Sequence, residues 1–219
     1  MIELLVVIAI IALLLAIILP SVKRVQLLAK KAFSMNNMRQ IGMAMSLYTD
    51  DNAGLFPEST HTASKERSWI FTLAPYLSEV DEIRIDPADP KRKERLENNM
   101  TSYVLNEYIV SDDFNTDPFG NTTGPTYRNA RKLKIPAKTI TVFVCSDDTD
   151  VTDAKDHVHS TEWFDGSHVP IDEIKKDIQI DRYGTTTLFL YADPHVESVK
   201  SDDITKMAGQ NYNFAEPPH

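Results

Sequence analysis

The first twenty residues constrain this chain most. From Leu4 to Leu19 sixteen consecutive residues are apolar, and the one charge beside them is the carboxylate of Glu3. At ~1.5 Å per residue a helix of that length reaches roughly 24 Å, just under the ~30 Å hydrocarbon core of a bilayer. Met1 and Ile2 extend it slightly. A cleaved secretory signal is the ordinary alternative, but the residues ahead of the run are acidic and the following "LPSVKRV" has no small-x-small cleavage site. Under the positive-inside rule the bases after the run would hold the rest of the chain in the cytoplasm, and a short basic leader upstream would reverse that.

Beyond Pro20 the helical pattern continues. Apolar residues recur at Val25, Leu28, Ala32, Met35, Met38, Ile41, Met45 and Tyr48, in steps of three and four that predict one buried stripe. Ser21, Lys23, Lys30, Lys31, Ser34 and Asn37 are expected on the wet side. A proline within a helix removes one hydrogen bond and kinks the axis, so Pro20 is expected to join an apolar half to an amphipathic half in one bent rod. Asn52, Gly54 and Pro57 then stop it. The domain division expected is 1–52 for the helix (1–19 apolar, 20–52 amphipathic) and 53–219 for an acidic head.

Charge is segregated along the chain. Ser21 to Thr49 holds five bases and no acid, whereas from Asp50 onward there are 31 acids against 18 bases. A body of that sign argues against nucleic acid as a partner. The basic half-helix suits anionic lipid or the acidic surface of another copy. Cys145 is the single cysteine, which excludes an intrachain disulfide and a multi-cysteine metal site.

With these features in view, "IELLVVIAIIALLLAIILP" resembles the start of the type IV pilin and type II secretion pseudopilin superfamily, which joins one glutamate at a fixed place to an apolar run and a proline. The resemblance implies a prepilin that begins upstream, is cut by a prepilin peptidase and is methylated on its new N-terminus. It also implies an inner-membrane subunit with its head outside the cytoplasm, moved by an assembly ATPase and platform into a periplasmic or extracellular filament of identical copies. Glu3 would pair with the terminal amine of an adjacent subunit. A carboxylate in apolar surroundings is unfavourable by several kcal/mol unless partnered, so the physics agrees; a glutamate resting at the membrane surface is the plain alternative. Later blocks, "NNMRQIGMAMSLYTDDNAGLFP", "SWIFTLAPYL", "DPADP", "TSYVLN" and "TTLFLYADPHVESV", resemble the large pilin-like proteins of the planctomycete type. That group closes on His, nine residues and Asp-Gly; here Tyr183 and Asp193-Pro194 stand in those places, so no role of that histidine carries over.

The head is expected to be α+β, a pilin-like fold with an antiparallel sheet laid on the amphipathic half-helix. Strands are predicted at Tyr103 to Leu105, Thr139 to Cys145, Thr186 to Ala192 and Val196 to Val199, from β-branched and aromatic runs between turn residues. Helices are predicted at Trp69 to Leu77 and Asp202 to Met207. Asp193-Pro194 suits a type I turn. Ser111 to Lys134 and Asp147 to Asp181 read as long surface loops.

Two loops carry candidate metal chemistry, though no cofactor is required. Asp113, Asn115 and Asp117 alternate as at the start of a calcium loop, but Pro118 stands where the turn glycine belongs and Gly124 where the bidentate glutamate belongs. Asp147, Asp148, Asp150 and Asp153 form a second cluster of hard oxygen ligands for calcium. His157, His159, Glu162, Asp165 and His168 supply zinc-type ligands without a spacing that fixes a third. No G-x-S-x-G, P-loop or Cys–His pairing is present, so the expectation is a structural subunit and not an enzyme. The competing expectation is a membrane-tethered binding or metal-dependent head that does not polymerise.

Overall fold

The computed structural model describes residues 2–59, 68–110, 126–151 and 155–218. Helix α1, Ile2–Asp51, runs 50 residues and passes through Pro20 with no interruption. Pro20 has no N–H for the carbonyl of Ala16, and one position on, Ser21 Oγ donates back to the Ile17 carbonyl at 3.3 Å. The helix stops where expected. Ala53 (φ +56°) and Gly54 (φ +87°) turn the chain left-handed, and a Cβ on Gly54 would lie 2.5 Å from Asn129 Oδ1. The same asparagine donates to the Ala53 carbonyl at 3.1 Å, so the exit is stapled from a distant loop.

Five strands form one sheet in the order β3-β1-β2-β4-β5: β1 Tyr103–Asn106, β2 Ile140–Val144, β3 His157–Val158, β4 Thr186–Tyr191 and β5 Val196–Lys200. The four strands expected from sequence are there. The sheet is mixed, not antiparallel throughout, because β3 pairs parallel with β1, Leu105 against His157. Two residues are too few to leave a period. β2, "ITVFV", is buried along its whole length, as a central strand rich in branched residues should be.

The alternation of side chains divides the sheet into two covered faces. Toward α1 point Tyr103, Leu105, Val142, Leu188 and Leu190, against Met38, Ile41, Ala44 and Met45 of the helix. Burying each of the larger of these is worth about 1.5–3 kcal/mol. On the other face Phe143, Phe189 and Phe214 interlock with Trp163, with centroids 5.1 to 6.3 Å apart. Helices α5, Pro170–Asp177, and α6, Ser201–Gly209, lie in this outer layer.

The expected loop from Asp147 to Asp181 is largely a built element. It contains β3, α5 and buried Trp163, tied to buried Asp177, whose carboxylate accepts from Trp163 Nε1 at 2.8 Å, from the His159 amide at 3.1 Å and from Lys155. The segment predicted as a helix from Trp69 to Leu77 is a single turn, α2 Trp69–Thr72, followed by a 3-10 turn, Ala74–Tyr76, with Pro75 near its start, where a missing N–H is tolerated. Two short helices complete the head, α3 Val80–Ile83 and α4 Arg92–Glu97. Between α4 and β1, Arg95 and Asp89 are fully buried and paired at 2.7 Å, and Ser102 donates to the same carboxylate oxygen at 2.7 Å.

Candidate functional site

The candidate site is α1 itself, together with the seam that fixes it to the head. Residues 2–26 are exposed throughout, and the most apolar window of 18 residues has mean hydropathy 3.3 with none of it buried. By length and composition this helix is able to cross a membrane. Glu3 sits in its first turn, where the free amides of the helix start favour a negative charge.

The seam begins at Leu27 and keeps the expected stripe only in its second half. Met35, Met38, Ile41, Met45 and Tyr48 pack on the head, joined by Leu27, Lys31, Ser34, Gly42, Ala44 and Thr49, whereas Ala32 is exposed and Val25 and Leu28 are 64% and 55% exposed. Three residues expected on the wet side are structural. Ser34 is fully buried and its hydroxyl shares a 2.8 Å hydrogen bond with Tyr103. Lys31 Nζ donates to Thr186 Oγ1 at 2.9 Å and Ser198 Oγ at 2.6 Å and stands 5.9 Å from the centre of the Tyr183 ring. Burial lowers the pKa of that ammonium. Asn37 donates to the carbonyls of Glu82 and Ile85, both at 3.3 Å, closing the seam on α3.

Beneath Lys31 lies a buried polar cluster. Tyr183 donates to Asp86 Oδ2 at 2.6 Å, the Ala88 amide donates to Asp86 Oδ1 at 2.7 Å, and Arg182 donates to the Cys145 carbonyl at 2.8 Å and to Asp147. Desolvation raises the Asp86 pKa despite these donors, and burial together with the Asp86 charge pushes the Tyr183 phenol far up. Tyr183 thus works as a neutral hydrogen-bond donor under the helix. At the hairpin between β4 and β5 the Tyr191 amide donates to the His195 carbonyl at 3.0 Å, so the corner is the three residues 192–194 and not the expected type I turn opened by Asp193. Gly42 packs directly on it, and a Cβ there would lie 3.0 Å from Pro194 Cβ and 2.9 Å from Leu190 Cδ1.

Of the calcium candidates, Asp113, Asn115, Asp117 and Asp153 lie outside the described residues. Asp148 and Asp150 stand on an exposed turn after β2, and Asp147 is engaged by Arg182. The zinc candidates do not converge. His157 is buried with Nδ1 3.0 Å from Asp156 and its ring 5.0 Å from that of His159, while Asp165 binds Ser167 and His168 lies 3.8 Å from Glu173. Among the described residues no three His, Cys, Asp or Glu side chains gather as metal ligands. The sequence offered no motif for the seam, since Lys31, Ser34, Tyr183 and Asp86 are ordinary residues brought together by the fold.

Set against known proteins, the chain matches no family model, no curated protein and no solved structure. The fold and the helix define a class nonetheless: an α+β head with a mixed sheet, carried on one long N-terminal helix apolar enough to span a membrane.

Proposed function

We propose that this chain is a pilin-like structural subunit, anchored in the inner membrane by Ile2 to Leu19 before assembly and packed through α1 into a filament afterwards. One observation supports the reading above others: the half-helix Leu27 to Asp51 is locked to the head, and the apolar half projects from it with none of the described residues covering it. Lipid or a bundle of like helices is the surrounding such a surface requires. In the bundle Glu3 meets the amine of a neighbouring copy and sets the axial register, since an unpaired carboxylate there is unfavourable by several kcal/mol. Exposed Lys23, Arg24, Lys30 and Arg39 face the acidic heads of adjacent copies; Lys31 is taken by the seam.

The test is assembly in the source cells with Glu3→Ala and Glu3→Gln. Both variants should enter the membrane at normal abundance and fail to form filaments seen by electron microscopy. Filaments at normal yield from Glu3→Ala would end the proposal.

A further inference from the structure

On the sheet face turned away from α1 an open groove of about 520 Å³ runs between β4, β5 and α6. Its floor is apolar, formed by Phe189, Val199 and Met207. Its rim carries two tyrosines, Tyr191 and Tyr212, and two carboxylates, Glu197 and Asp203. We propose that this groove binds an organic cation, an alkylammonium or guanidinium whose carbon stem lies on the floor and whose charged head sits between the tyrosine rings and the two carboxylates.

Three observations carry this assignment. First, Tyr191 is held in place: its ring stacks on His195 at 4.2 Å between centroids with planes 7° apart, and its hydroxyl donates to Glu197 at 2.9 Å. An aromatic side chain fixed on one face and open to a groove on another presents a ready surface for a cation. Tyr212, 60% exposed, lines the same groove. Second, the charge is unbalanced. Glu197 and Asp203 are exposed, and neither forms an ion pair among the described residues. Among the described residues Lys138 is the one cation lining the groove, so two carboxylates face one ammonium and an anionic guest would meet net repulsion. Third, the floor suits a methylene stem, which a small inorganic cation lacks. The groove lies on the sheet face opposite the seam.

The experiment is calorimetric titration of the full chain in a nonionic detergent, with n-butylammonium, an acetylated and amidated lysine tripeptide, the neutral isostere N-butylacetamide and n-butyrate as probes. Expected are saturable binding of the two cations, at least tenfold weaker binding of the neutral and anionic probes, and at least tenfold loss of cation binding in Glu197→Gln with Asp203→Asn. Both positions are exposed, and an unchanged Tm shows that the double variant is folded. Tripeptide binding tenfold tighter than butylammonium identifies a peptide side chain as the guest, and equal binding identifies a free amine; either outcome upholds the site. Equal binding of N-butylacetamide, tighter binding of butyrate, no binding of either cation, or no change in the double variant overturns it. Loss of filaments in Glu3→Ala with binding retained, or the reverse, separates this inference from the assembly reading.

Discussion

Ser34 and Asp86 show what single polar atoms do beneath the helix. Ser34→Ala removes one partner of the Tyr103 hydroxyl, beside Asn37, at a site with no access to water, and a buried group left short of partners is unfavourable by up to about 1–3 kcal/mol. Urea unfolding of the variant should show a loss in that range, and an unchanged midpoint would mean the hydroxyl finds another partner. Asp86 is the pH-sensitive member. Its folded pKa lies above its unfolded value, chiefly through desolvation, so the folded state holds the proton more tightly. Its ionisation therefore weighs against the fold at neutral pH, and this is relieved as pH falls through the raised folded pKa toward the unfolded one. Asp86→Asn should be most favourable relative to wild type near pH 7 and lose that advantage on acidification into the carboxylate range, measured as the difference in unfolding free energy at each pH. A difference independent of pH would contradict the assignment.

At the scale of elements, α1 packs closely on the β4–β5 hairpin through Gly42. Gly42→Ala drives a methyl into Leu190 and into the backbone of the corner, and overpacking of this kind destabilises by about 1–3 kcal/mol. The four longer strands were readable in the sequence because their branched and aromatic runs lie between turn residues. β3 and α5 were not. Asp156, His157 and Asp177 look like surface polarity on paper, and their burial depends on partners 14 to 88 positions away, such as Trp163 and Ser68.

At the scale of the whole molecule the rod and the head are separable. Contacts to the head begin at Leu27, so deletion of residues 1–24 should leave the seam and the sheet intact and yield a monomer soluble without detergent, checked by gel filtration and unfolding. Aggregation or loss of cooperative unfolding would show that the apolar half supports the head directly. The amino-acid sequence by itself determined the apolar run, its length, the carboxylate at its start and the continuation of the helix to the glycine exit, because each depends on neighbours within a few turns. The spacing of apolar residues picked the face of the second half-helix correctly from Met35 to Tyr48, but where that face begins and which polar residues join it were decided only by the tertiary structure. Val25, Leu28 and Ala32 continue the same stripe in sequence and stay exposed, whereas Lys31, Ser34 and Asn37 are drawn into the seam. The sheet chose, because it offers hydroxyls from Tyr103, Thr186 and Ser198 to Ser34 and Lys31 beside a hydrophobic centre, and buried polar groups go where their partners are.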